Sequence, residues 1–375
     1  MLFRDIIMTI EHRRFLLFAV IFKGMKKILL LALCALSFGL IFGQDSSESR
    51  HLKNIKQLSF GGDNAEAYFS FDDKNLSCQV TNPVWGLQCD QIFNFDIAKA
   101  AKDTTYRPPM VSTGKGRTTC SFFLPDGKHI LYASTHLGAD TCPPKPAPRA
   151  DHKYLWPVYA DFDIFVADLS GKITKQLTNT KGYDAEATIS PDGKKIVFTS
   201  IRSGDLEVYT MNIDGTDVKQ ITNELGYDGG AFFSPDSKKL VFRASRPKTP
   251  EDVKEYKDFL AQGLVAPTNM EIYTCNVDGS DMKQVTHLGK ANWAPYFTPN
   301  GKKIIFSSNH ASKKGYDFHL YTVNLDGTGL EKITTESYFN AFAMFSHDGK
   351  KMIWSSNRDN HGTHDTNLFI ADWKE

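Results

Sequence analysis

Hydrophobic and polar positions alternate in short runs along most of the chain, and the runs are separated by strong turn signals. Ala187–Ser190 and Ile196–Ser200 flank Ser190-Pro191-Asp192-Gly193, where proline presets φ and glycine can take φ > 0. Leu206–Ile213 and Val218–Thr222 flank Asp214-Gly215, a two-residue hairpin signal. Period-two alternation between such turns predicts a group of four antiparallel strands. The group recurs. DAEATISPDGKKIVFTSIR from Asp184 is echoed by DGGAFFSPDSKKLVFRASR from Asp228, NWAPYFTPNGKKIIFSSNH from Asn292 and NAFAMFSHDGKKMIWSSNR from Asn340. Weaker copies begin at Asn64 and Thr118.

The turn positions Phe71, Pro125, Pro191, Pro235, Pro299 and His347 are spaced by 54, 66, 44, 64 and 48 residues, a unit in the forties with insertions. A lone four-stranded sheet cannot bury both faces, so stacked copies must bury each other. Blades of ~40–45 residues around a channel are the β-propeller solution. The expected fold is all-β, a six-bladed propeller of four-stranded blades. The last copy ends at Trp373-Lys374-Glu375 without a fourth strand, and His51–Ser59 (HLKNIKQLS) resembles VKQITN at Val218 and MKQVTH at Met282. An N-terminal strand completing the last blade would remove an exposed sheet edge.

The segments SPDGKKIVFTS, VYTMNIDGTDVKQITN and SPDSKKLVFRASR resemble the TolB-type, WD40-like propeller repeat, and the resemblance runs over nearly all of residues 45–375. It implies the propeller fold and, by analogy with a periplasmic scaffold that contacts envelope partners such as a peptidoglycan-associated lipoprotein, a binding role. TolB carries an additional α/β domain before its propeller. Only a short stretch separates Gln44 from the first repeat, so the likeness is to stand-alone secreted TolB-like propellers. Similar propellers gate prolyl oligopeptidases and build oligogalacturonate lyases, which supplies the rival expectation: a metal-assisted lyase or hydrolase on anionic oligosaccharides.

The N-terminal segment changes how the charge is read. Met25–Gly43 (MKKILLLALCALSFGLIFG) has a basic start, an apolar run and a small residue before Gln44, the layout of a secretory signal peptide. Residues 1–44 are therefore expected to be a signal segment, with Met25 a candidate true start, and residues 45–375 a single propeller domain. The 375-residue chain has 44 basic and 43 acidic residues, but residues 45–375 hold 38 against 41. That balance argues against a nucleic-acid binder held by phosphate contacts. The expected destination is the periplasm or the exterior, as a monomer with no membrane insertion after cleavage.

Aligning the copies gives two rings at one mouth of the channel. Inner strands start with Asn64, Thr118, Asp184, Asp228, Asn292 and Asn340; two residues on lie Glu66, Cys120, Glu186, Gly230, Ala294 and Phe342. Second strands end in Asn82, His136, Arg202, Arg246, His310 and Arg358. Alternation turns both inner-strand sets toward the channel. Candidate binding residues are accordingly Glu66, Arg117, His136, Asp184, Glu186, Arg202, Asp228, Arg246, His310 and Arg358. Arginine forks there can take carboxylates while the acids take an amine; the alternative is that these charges pair with one another between blades. The insertions Leu137–Tyr159 and Pro247–Asn269 should rim the same mouth, the second containing a helix from Pro250 with Val253, Tyr256, Phe259 and Leu260 on its packed face. The expected ligand is an envelope protein or peptide, or a polysaccharide.

No catalytic residue, cofactor or resident metal is assigned. Gly114–Thr119 (GKGRTT) lacks the phosphate-loop spacing, and no Gly-x-Ser-x-Gly or His-Glu-x-x-His motif occurs. A metal site could draw on His361, His364, His136 and His310 with Asp184 or Glu186. Cys275 reads as a buried thiol. Cys78, Cys89, Cys120 and Cys142 are disulfide candidates with three possible connectivities, of which Cys78–Cys89 and Cys120–Cys142 are the local pairs.

Overall fold

Six small antiparallel sheets follow one another along the chain, each opened by an inner strand and a tight Ser-Pro-Asp-Gly-like turn. The computed structural model describes residues 47–147 and 149–375; the expected signal segment lies outside the described residues. The inner strands of blades one to six are Asp63–Phe69, Thr118–Phe123, Asp184–Ile189, Asp228–Phe233, Asn292–Phe297 and Asn340–Phe345. Each pairs with a second strand, which pairs with a third, so every blade fans outward from the channel. At the turn of blade three the Ser190 hydroxyl donates to Asp192 Oδ1 at 2.6 Å and accepts from the Lys195 N–H at 3.0 Å, which fixes the hairpin.

The second strands carry the packing between blades. Tyr132, Phe198, Phe242, Phe306 and Trp354 occupy equivalent positions and are fully buried. In blade one the same position is Cys78, also fully buried. Blade one differs again at its outer edge. Its fourth strand shrinks to a single bridge between Phe93 and Met110, because Pro108 and Pro109 have no N–H to add to a ladder.

The ring closes as its repeat pattern requires. Leu52–Gln57 pairs antiparallel with Asn367–Trp373, Leu52 opposite Trp373 and Gln57 opposite Phe369, and completes blade six. Ahead of it the short helix Ser47–His51 places Glu48 against Arg358, a buried ion pair of 2.7 Å. The Glu48 carboxylate also accepts from the Glu336 N–H at 3.1 Å. Burial opposes its charge, but the Thr335 backbone bond and Arg358 outweigh this and hold its pKa below the ordinary value.

The two insertions meet over one mouth of the channel. Trp156–Pro157 pairs with Leu264–Val265 as a two-stranded ribbon, and the helix Pro250–Leu260 packs beside it. Thr249 caps the helix in a reciprocal bond with Asp252. Phe259 is buried, and Tyr256 and Leu260 pack on the apolar cluster that includes Trp156 and Val265. Among the described residues no helix is long and apolar enough to cross a membrane.

Candidate functional site: a cup at the mouth of the channel

The six inner strands share a local distortion that decides what faces the channel. In each blade the pairing register slips by one residue within the inner strand, for example between Ala185 and Thr188 in blade three. Glu66, Cys120, Glu186, Gly230, Ala294 and Phe342 sit at these bulges, all with φ between 46° and 60°. A bulge re-aims a side chain, and here it turns the whole ring inward. Simple alternation, which expected both inner-strand sets in the channel, fails at this point. Glu66, Cys120, Glu186, Ala294 and Phe342 line the cavity, whereas Asp184 and Asp228 are buried within their own blades.

Below this ring the channel is blocked. Tyr68 of blade one meets Phe232 of blade four at 5.8 Å between ring centres, directly across the axis. Tyr68 also packs on Phe122 and Phe232 on Tyr296, so aromatic side chains from four blades form a floor. The ribbon from the insertions forms a roof. Trp156 lies 5.1 Å from Trp293 and 6.4 Å from Tyr227. Beneath the ribbon lies an open cavity of about 720 Å³ whose walls include Tyr183, Tyr227, Trp293 and Phe342.

The roof is anchored by a disulfide. Cys89 of blade one bonds Cys142 in the first insertion, while Cys78 and Cys120 remain thiols, as does Cys275. The expectation of two disulfides is thus corrected, and neither local pairing forms. Cys78 fills the interblade slot that aromatics fill elsewhere, and Cys120 points from its bulge into the cavity. The Cys89–Cys142 bond fits an extracytoplasmic protein.

Of the ten candidate residues the structure brings Glu66, Arg117 and Glu186 to the cavity. The others form braces within the blades. Arg202 Nη2 donates to both Asp184 oxygens at 3.0 Å, and its guanidinium lies 5.1 Å from the Phe198 and Tyr209 ring centres. Arg246 does the same with Asp228 over Tyr273. Burial pushes the Asp228 carboxyl up to about 6, with Arg246 opposing it. Arg358 stacks on Trp354 and Phe369 while holding Glu48. These pairs lie within blades or tie down the N-terminus, not between neighbouring blades.

His136 and His310 belong to blades two and five, and each ring sits 2.9 Å from its own blade's serine, Ser134 and Ser308. Burial lowers both pKa values, and adjacent Lys115 and Lys290 add to it. They do not converge with His361 and His364, and among the described residues no group of three or more His, Cys, Asp or Glu side chains is arranged to hold a metal ion.

The charged centre of the cup is one that repeat alignment passes over. Arg243, from the second strand of blade four, is 6% exposed and donates to Glu186 and, at 2.6 Å, to the Tyr227 hydroxyl. Glu186 also accepts from Thr199 at 2.7 Å, Tyr227 at 2.9 Å and the Gly230 N–H at 2.9 Å. Burial works against its charge, but Arg243 and these donors hold the carboxyl below its usual range. Gly230 makes this possible, since a Cβ there would come within 1.8 Å of Arg243 Nη1. The signal was present: LVFRAS carries arginine where IVFTS, IIFSS and MIWSS carry small hydroxyl residues, and the neighbouring ring position is glycine. Arg117 pairs with Asp90 at the cavity edge. Among the described residues Glu66 has no such partner; it accepts a long bond of 3.4 Å from the Tyr68 hydroxyl and one from the Cys120 thiol.

Comparison with known proteins agrees with this architecture. Residues 159–257 match the TolB β-propeller domain. Among solved structures, the TolB-like chain is similar to one described as a TolB from Agrobacterium tumefaciens, with 20% identity, 84% of this chain and 91% of that one covered, and a TM-score of 0.53. It is also similar to TolB from Acinetobacter baumannii, with 19% identity, 84% of this chain covered and a TM-score of 0.49. There it spans 64%, under two thirds, of that protein's length. An oligogalacturonate lyase in complex with manganese aligns at 14% identity over 83% of this chain and 77% of that one, with a TM-score of 0.47. At such identities the likeness concerns the fold. Comparison with curated proteins gave no match.

Proposed function

We propose that this TolB-like propeller is an exported binding module that takes an extended protein segment into the roofed cup. The observation that carries the reading is the cavity itself. It is of a size usual for ligand sites, has aromatic walls and a few placed charges, and opens where two insertions are braced over the channel. Aromatic and arginine side chains are the usual anchors of such binding. The basic side chains Lys145, Arg149 and Lys153 at the rim suit a chain that leaves the cup past polar groups. Export is supported by the signal-like N-terminus and the disulfide. The test is affinity capture from an envelope extract of the source cell with the wild type and with Trp156→Ala, which removes the roof's aromatic contact. The captured segment is expected to fall at least tenfold with an unchanged circular dichroism spectrum; equal capture would refute the reading.

A further inference from the structure

Among the described residues lining the cup, two of the three carboxylates are held in ion pairs. Asp90 is matched by Arg117 and Glu186 by Arg243. Glu66, held inward by its bulge just above the aromatic floor, makes no ion pair of its own among the described residues; the nearest cation, Arg243, is committed to Glu186. Its neighbours are the Tyr68 hydroxyl from its own strand, the Cys120 thiol from blade two, and Glu186 and Arg243 from blades three and four, with Asp90 farther off. The space in front of it is the cavity, walled by aromatic rings.

We propose that Glu66 receives a primary ammonium group of the bound segment, from a lysine side chain or a free chain amino terminus. This rests on the binding-module reading and specifies the chemistry of the same cup. A primary ammonium brings the missing countercharge and three donors, which the Glu66 oxygens and the Tyr68 hydroxyl can accept. Aromatic faces around it favour a cation over a neutral group. Confinement by the protein, reinforced by Glu186, pushes the Glu66 carboxyl up to about 7, while Cys120 and Arg243 oppose this. A cationic ligand should therefore bind more tightly as pH rises through 7, up to the pH at which its own amine loses its proton.

Trp156 and Trp293 line the cup and report occupancy by fluorescence. Three peptide probes separate the sources: Nα-acetyl-Phe-Lys-Phe-amide carries only a side-chain ammonium, Phe-Gly-Phe-amide only a terminal one, and Nα-acetyl-Phe-Gly-Phe-amide neither. At pH 7.5 at least one charged peptide should bind tenfold or more tightly than the neutral one, and the stronger of the two identifies the source. That preference should shrink severalfold at pH 5.5, and Glu66→Gln should abolish it. Equal binding of all three, a preference that survives in Glu66→Gln, or no saturable change with either charged peptide would overturn the proposal. Equal binding would leave the binding-module reading standing, and the Trp156→Ala capture decides that reading separately. The pH dependence of the wild type keeps the test decisive should Glu66→Gln fold poorly.

Discussion

Single residues in this propeller are placed by conflicts between burial and charge. Glu207, at the start of a third strand, is buried and accepts a bond from the Thr222 hydroxyl. Burial pushes its carboxyl up to about 8; Thr222 opposes, Asp228 and Asp205 add, and Arg246 opposes. A carboxyl raised in the folded state lends stability that is fully present below its ordinary value of 4.5 and is lost as pH climbs to about 8. Glu207→Gln keeps the acceptor and removes the titration. Its melting temperature should equal or trail the wild type at pH 5 and exceed it by several degrees at pH 8.5; a gap independent of pH would contradict the assignment. How far such residues can be read from the sequence depends on whether the repeat repeats them. Arg202 and Arg246 were legible as ring positions, but their burial against Asp184 and Asp228 was not, because a bulge and not alternation decides which inner-strand residues face the channel. Arg243 was hidden because it replaces small residues in one blade, and only the paired appearance of Gly230 betrays it.

Elements follow the same division. The strand Leu52–Gln57 was legible because its Lys-Gln pair repeats those at Lys219-Gln220 and Lys283-Gln284. The helix before it repeats nothing, yet it supplies Glu48, which locks the closing strand to the last blade through Arg358. Removing one partner of a buried ion pair leaves the other without a countercharge, at a cost of about 3 kcal/mol. Glu48→Ala should lower the urea unfolding free energy by about that amount, and an unchanged midpoint would show that the closure does not need it. The insertions were legible as elements on one rim. Their union into a ribbon was not, since two-residue pairing between segments a hundred residues apart leaves no periodic trace. Nor could spacing select Cys89–Cys142, which joins a blade to an insertion at a separation of 53 residues.

At the scale of the whole molecule, six similar blades make a symmetric ring, and function has to come from what breaks the symmetry. Tyr68 meeting Phe232 across the axis turns the channel into a cup, and the disulfide-anchored ribbon covers only one mouth. The opposite mouth, around Pro191, Pro235, Pro299 and His347, holds only about 140 Å³ and is lined by the repeat's own turns. The account therefore assigns binding to one end of the molecule. The most direct measurement is site-specific photo-crosslinking in intact cells, with the reactive group placed at exposed Tyr154 beside the cup or at Asp348 on the opposite face, followed by mass spectrometry of the joined peptides. One recurring partner segment should appear from Tyr154 and be missing from Asp348. The same products from both positions, or a recurring partner from Asp348 alone, would contradict it.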